Sequence, residues 1–174
     1  MIAAVVLAAG TGSRFGGPKQ RILLPPVLAA VRASSVDDVV VVTGAYPVDV
    51  DAKVVDCAAW ERGPGASLRC GLEALPTETE AAVVVLADGP DLAAAAIDRI
   101  VARWRAGAGE VVAASYGGVR GHPVVLARTA WDKVPDEGAR ALETVLVPCD
   151  DLGAPGDIDF ADEVPDRLRE DLSE

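Results

Sequence analysis

Short, continuous apolar runs alternate along the chain with stretches in which apolar positions recur every three or four residues. Ile2 to Ala8, Val39 to Thr43, Val83 to Ala87 and Val111 to Ser115 are Val-rich and bounded by turn residues. That is the pattern of strands buried on both faces of a parallel sheet. Three helices are predicted between and after them: Val27 to Ala33 behind the Pro25-Pro26 pair, Ser67 to Leu75 behind Gly63-Pro64-Gly65, and Asp91 to Arg105. The last carries Leu92, Ile97, Ile100, Val101 and Trp104 at helical spacing. In the second half, His122 to Leu126 and Thr144 to Val147 predict strands, Glu137 to Leu142 a short helix, and Pro165 to Leu172 a closing helix. The alternation predicts an α/β fold, a three-layer sandwich over residues 1–174 as one domain. Its mostly parallel sheet would be covered on both faces and bind ligands beyond the carboxyl ends of its strands.

Composition narrows the picture. A chain of 174 residues that is 51% hydrophobic but only 4% aromatic, with a mean hydropathy of +0.27, must build its core from Ala, Val and Leu. Sixteen Lys and Arg face 27 Asp and Glu, and the net charge of −11 disfavours non-specific contact with nucleic acid or an anionic membrane. No apolar stretch reaches the roughly 18 residues of a membrane span. Met1 to Gly10 lacks the basic start of a signal peptide and reads as the first strand, so the expectation is a cytoplasmic protein. Cys57, Cys70, Cys149 and the single His122 have no paired spacing, which excludes a zinc ribbon or a redox CxxC. The cysteines read as reduced and mostly buried, Cys70 as a small core residue and Trp60, Trp104 and Trp131 as packing residues.

Candidate chemistry starts where the first strand ends. Ala8-Ala9-Gly10-Thr11-Gly12-Ser13-Arg14-Phe15-Gly16-Gly17-Pro18-Lys19 holds four glycines and two cations. Glycines let backbone N–H groups approach phosphate oxygens, and Arg14 and Lys19 offset the repulsion of an acidic protein for an anion. The loop is neither a dinucleotide fingerprint, since Phe15 stands where glycine is needed, nor a Walker loop, since Pro18 stands in place of lysine. Asp88 follows a buried strand in Asp88-Gly89-Pro90-Asp91. There it either opens a tight turn, with Asp91 capping the next helix, or offers a carboxylate to a hard cation such as Mg²⁺. Asp157 and Asp159 share one face of a short extended segment, which reads either as a solvated acidic tail or as a shared ion site.

Leu7 to Gln20, read as Leu-Ala-Ala-Gly-Thr-Gly-Ser-Arg-Phe-Gly-Gly-Pro-Lys-Gln, resembles the signature loop of the MobA-like nucleotidyltransferases. Members of that family join an NTP to a phosphorylated acceptor and release pyrophosphate. Gly63 to Leu72, Leu86 to Pro90, Gly121 to Leu126, Gly138-Ala139-Arg140 and Asp157-Ile158-Asp159 are similar to successive blocks of the molybdenum cofactor cytidylyltransferase branch. The resemblance implies a Rossmann-like, GT-A-like nucleotidyltransferase fold and a site assigned position by position. Leu7, Ala8, Ala9, Gly10 and Gly12 would hold base and phosphates, with Gly65 and Ser67 on the base side. Arg14 and Lys19 would grip the triphosphate. Asp88 would be the principal Mg²⁺ ligand and Asp159 the second, with Asp157 and Glu163 as alternatives. His122 would contact the acceptor, although a lone histidine before Pro123 also reads as structural. Leu-Ala-Ala-Gly in place of Leu-Ala-Gly-Gly implies CTP rather than GTP.

The acceptor implied is molybdopterin or its molybdenum-loaded form, with a transient contact to a molybdoenzyme maturation factor. Transfer of guanylyl or another nucleotide to a different phosphorylated acceptor, and a non-catalytic nucleotide-binding maturation partner, are the alternatives. The chain departs from the family pattern at Gln20 to Pro26, which leaves a shortened connection before the helix expected at Val27, at Gly89 in place of glutamine, and at Phe160-Ala161 in place of Thr-Pro. An acceptor phosphate is nucleophilic at neutral pH, so the lack of a Ser-His-Asp or Cys-His arrangement is what this chemistry implies.

Overall fold

The computed structural model describes residues 1–170. Seven strands form one sheet: β1 (Ile2–Ala8), β2 (Asp38–Thr43), β3 (Lys53–Asp56), β4 (Ala81–Leu86), β5 (Val111–Tyr116), β6 (Val119–Ala127) and β7 (Val145–Pro148). Their spatial order is β3-β2-β1-β4-β6-β5-β7. All pairings are parallel except those of β6, which runs against both β4 and β5. The helices are α1 (Gln20–Ala33), α2 (Pro64–Glu73), α3 (Ala94–Arg105) and the short α4 (Asp166–Arg169).

Period-two alternation sends the strands' side chains to two cores. Ala4, Val6 and Ala8 of β1 pack with Leu24, Val27 and Val31 of α1 and Ile97 and Ile100 of α3. Ala3 and Val5 face the other way, with Leu68 and Leu72 of α2 and with Val134. The result is the layered α/β arrangement expected from the alternating pattern. Gly71 is what lets α2 lie close, because a Cβ there would stand 2.5 Å from the Val5 side chain. Among the described residues no helix is long and apolar enough to cross a membrane.

The structure corrects several sequence expectations. Helix α1 starts at Gln20 and contains both prolines. Each interior proline costs roughly 3 kcal/mol. The apolar residues Ile22, Leu23, Leu24, Val27, Leu28 and Val31 are buried on both sides of the pair, and at roughly 1.5–3 kcal/mol each their burial outweighs that cost. Gln20 to Pro26 is therefore not a shortened connection but the first turns of the helix. Strand β3 was not anticipated, since it is a partly exposed edge strand with polar ends. The Glu137 to Leu142 helix shrinks to a 3₁₀ turn over Ala139–Ala141. The closing helix is described only over Asp166–Arg169, and the Asp171 and Leu172 end of that expectation lies outside the described residues. Cys57 and Cys70 are not reduced: they form a disulfide between the end of β3 and α2, with Cα atoms 5.9 Å apart. Their spacing of 13 residues matches no motif, and only the packing of α2 brings them together. Cys149 is buried and free.

Strands β5 and β6 are joined by Gly117 and Gly118, with φ of 59° and 77°. Such angles suit a two-residue turn whose twist matches the strands it joins. Because β6 starts from this turn, its first residues lie at the edge where the parallel strands end.

Candidate active site

The loop after β1 is wound around one carbonyl. Gly12 O accepts N–H bonds from Phe15 at 2.9 Å and Gly16 at 3.1 Å. Gly12 has φ 60°, and a Cβ there would stand 2.3 Å from Gly17 O, so both conformation and space demand glycine. From below, the buried side chain of Gln20 donates to Gly10 O at 2.8 Å and Ala8 O at 3.2 Å. Gln20 was not singled out from sequence. The available signal was a polar residue opening an otherwise apolar helix face.

Lys19 points from the helix start to the carboxyl edge of β4. Its Nζ donates to Ile158 O at 2.7 Å, to Asp88 Oδ2 at 3.0 Å and to Asp159 Oδ1 at 3.4 Å. Arg14 Nη1 donates to Asp159 Oδ2 at 3.0 Å. Ile158 N–H donates to Asp88 O at 3.1 Å, which pins the C-terminal segment across the end of β4. The elements thus bring Arg14, Lys19, Asp88 and Asp159 to one cleft of about 270 Å³, lined also by Leu7, Ala8, Gly10 and Gly12.

The electrostatics follow from this crowding. Burial works against the charge of Lys19, but the hydrogen bonds and fields of Asp88 and Asp159 outweigh it and hold its pKa above the ordinary lysine value. Burial also pushes the Asp157 carboxyl up, aided by the neighbouring negative charge of Asp88 and Asp159. Asp88, Asp157 and Asp159 each present a carboxylate oxygen within 4.8 Å of the others. Asp88 Oδ1 is buried without a hydrogen-bond partner among the described residues. Hard oxygen donors at this separation, one of them unsatisfied, fit a divalent cation. Glu163 is oriented differently, since its Oε2 accepts the N–H groups of Asp159 at 2.9 Å and Phe160 at 3.0 Å.

The remaining candidates divide. Ala9 is buried and Gly10 exposed. Buried Ser67 borders a shallow depression of about 280 Å³ beside Leu7, Gly10 and Trp60. Gly65 serves packing: its N–H donates to Asp136 O at 2.9 Å, and a Cβ there would lie 1.7 Å from Pro135 O. His122 lines a separate, larger cavity. Burial, reinforced by the charge of Arg120, pushes its pKa down to about 4, so the imidazole is neutral at neutral pH.

Comparison with known proteins identifies a family. The family profile of the MobA-like NTP transferase domain matches residues 4–146. No curated protein matches. Among solved structures, Rv0371c from Mycobacterium tuberculosis H37Rv is 27% identical over 92% of this chain and 93% of its own, with a TM-score of 0.74. The same protein in complex with manganese is 26% identical over 84% of this chain and 87% of its own, with a TM-score of 0.65. Molybdopterin-guanine dinucleotide biosynthesis protein A from Archaeoglobus fulgidus shares the fold at 15% identity, covering 98% of each chain with a TM-score of 0.68. The glycine-rich loop, the carboxylates that face it and the matched profile lead to one conclusion: the chain belongs to the MobA-like NTP transferase family.

Proposed function

We propose that residues 1–174 act as one nucleotidyltransferase domain that moves CMP from CTP to the phosphate of a small acceptor and releases pyrophosphate, with molybdopterin or its molybdenum-loaded form as the favoured acceptor. The observation that carries the reading is the convergence of Arg14 and Lys19, from the glycine-rich loop, on Asp88 and Asp159 at one sheet edge. Preference for CTP is supported by Ala9, where guanylyl-transferring relatives carry glycine.

Asp88 and Asp159, with Asp157 beside them, would hold Mg²⁺ or Mn²⁺; the manganese complex of the similar Rv0371c supports a divalent ion. Such an ion supplies positive charge against the phosphate oxygens. The chain's own residues do the rest. Backbone N–H groups between Ala8 and Gly12 face the phosphates, and Gln20 holds that loop in shape. Arg14 and Lys19 exchange carboxylate oxygens for phosphate oxygens and neutralise the charge that builds on the leaving group. An oxygen of the acceptor phosphate bonds to the α-phosphorus while the bond to the bridging oxygen breaks, and pyrophosphate leaves with that electron pair. No proton need be removed, so the step asks for no general base.

The test is calorimetric titration with CTP, GTP, ATP and UTP, with and without Mg²⁺ or Mn²⁺, on the wild type and Asp88→Ala. Metal-dependent preference for CTP that the variant loses supports the reading. Preference for GTP would move it to guanylyl transfer, and absence of binding by every nucleotide would overturn it.

A further inference from the structure

Two turns distant in the chain are locked together, and one aspartate holds both. Gly63-Pro64-Gly65 leads from the 3₁₀ turn Trp60–Arg62 into α2, and the turn from Pro135 to Gly138 lies against it. They meet backbone to backbone. Asp136 O accepts the Gly65 N–H, a Cβ at Gly63 would stand 2.5 Å from that same oxygen, and a Cβ at Gly138 would stand 3.5 Å from Pro64 Cγ. Two guanidinium groups then close on the Asp136 side chain: Arg62 Nη2 donates to Oδ2 at 3.2 Å, and Arg69 Nη2 donates to Oδ1. Arg69 also donates through Nη1 to Val134 O at 2.8 Å, so it grips the segment on both sides of Pro135. The hydrogen bond from Arg69, with Arg62 adding to it, holds the Asp136 carboxyl below its ordinary pKa, and the clamp keeps its charge in mildly acidic solution.

Asp136 lines neither the Lys19 cleft nor the depression beside Ser67, but what it clamps does. Trp60, Gly63, Pro64 and Ser67 form one wall of that depression of about 280 Å³. Leu7 and Gly10 line both hollows, so the depression adjoins the cleft. With Leu7, Leu86, Trp60 and Pro64 around it, the depression is mostly apolar and suits the nucleoside end of a nucleotide rather than its phosphates. The Cys57–Cys70 bridge ties the two ends of the segment that carries the wall. No cross-link holds its middle, where Gly63 turns at φ 134° and two glycines leave the unclamped chain many conformations to lose.

We infer that Asp136 is a positioning residue: through Arg62 and Arg69 it fixes the Gly63–Ser67 wall against which the nucleoside rests, and so sets nucleoside affinity without touching the nucleotide. The inference rests on the transferase reading above and adds a residue to it. The phosphates lie on the other side, with Arg14, Lys19 and the loop after β1, so a loosened wall weakens the nucleoside end alone. Where only a fraction of molecules keep the wall in place, affinity falls by that fraction.

The probes are CTP and inorganic tripolyphosphate, each titrated with Mn²⁺ into the full chain with the Cys57–Cys70 bridge intact. The variants are Asp136→Asn, which keeps the backbone contacts and the size but not the charge, Arg62→Gln, and the two together, with thermal unfolding of each as a folding control. Asp136→Asn should weaken CTP about fivefold while tripolyphosphate changes less than about 1.5-fold, the range that partly exposed ion pairs can supply. Arg62→Gln should weaken CTP about threefold and should add nothing in the Asp136→Asn background, because the two act as one unit. Should Asp136→Asn fail to fold, Arg62→Gln decides by the same comparison. Unchanged CTP affinity in the folded variants, or equal loss of CTP and tripolyphosphate, would overturn the inference while leaving the transferase reading in place. A wild type that binds tripolyphosphate but no nucleoside triphosphate would overturn both.

Discussion

Lys19 and a divalent ion compete for the same oxygens, so removing the lysine should tighten metal binding. Nζ lies 3.0 Å from Asp88 Oδ2 and 3.4 Å from Asp159 Oδ1. An ion bound to those oxygens at about 2.1 Å would stand about 4 Å from Nζ. Two charges against one at that distance repel by about 8 kcal/mol at an effective dielectric of 20, and by about 2 kcal/mol in water. The Lys19 side chain is 13% exposed, but Asp159 is 37% exposed and Lys19 can swing away, so the lower figure governs. Lys19→Met should therefore bind Mn²⁺ about ten- to thirtyfold more tightly than the wild type, read by electron paramagnetic resonance of free Mn²⁺. Without metal the same variant should melt earlier, because its carboxylates then repel one another unscreened, and added Mn²⁺ should restore the loss. Equal or weaker Mn²⁺ binding by a folded Lys19→Met protein would refute the competition and place the ion elsewhere.

Other outcomes are as specific. His122 sits at about 4 rather than 6.5, so unfolding takes up a proton; its contribution to stability is complete above pH 6.5 and is lost as pH falls through 4. Between pH 7 and pH 5 the wild type should lose about 2 kcal/mol more than His122→Gln in urea unfolding, and parallel pH profiles would contradict a neutral, half-buried imidazole. Cys70→Ala, or a reducing agent, should cost about 3 kcal/mol for a bridge spanning 13 residues, and an unchanged melting temperature would count against the disulfide. Gly65→Ala should destabilise by about 2 kcal/mol or more in the same assay, since its Cβ meets Pro135 O. Gly10→Ala meets nothing within 4 Å and should be neutral to within about 0.5 kcal/mol, so loss of nucleotide affinity there would report on close approach of the ligand.

Strands buried on both sides were legible because nothing polar interrupts them: β1 spans Ile2–Ala8 as read, and β5 extends by one residue to Tyr116. Edge strand β3 was not, since among the described residues only β2 pairs with it and its side chains stay partly in water. Pro25 and Pro26 pointed to a helix start because local propensity carries no information about how much apolar surface lies on either side. The Arg14, Lys19 and Asp88 set was legible as types in a pattern. That Asp157 and Asp159 reach Asp88 depends on the Ile158 N–H bond to Asp88 O, a contact between segments distant in the chain. The Cys57–Cys70 bridge is of the same kind, as is the Arg120 guanidinium, whose Nε and Nη2 have no hydrogen-bond partner among the described residues. Each is a consequence of packing, and a single cysteine or arginine at a strand or helix position looks like any other.

The turn at Gly117 and Gly118 has a consequence for how such a protein can change. A Cβ at either glycine would meet nothing within 4 Å, so the turn faces open space. It nevertheless sets where Arg120 and His122 begin their strand, whereas the cleft of Arg14, Lys19, Asp88 and Asp159 hangs on the loop after β1 and the end of β4. Lengthening the hairpin would reshape one half of the edge without moving the other. The architecture is in that sense modular: one half can keep its chemistry while the other drifts to new molecules, with a two-residue turn as the point of divergence.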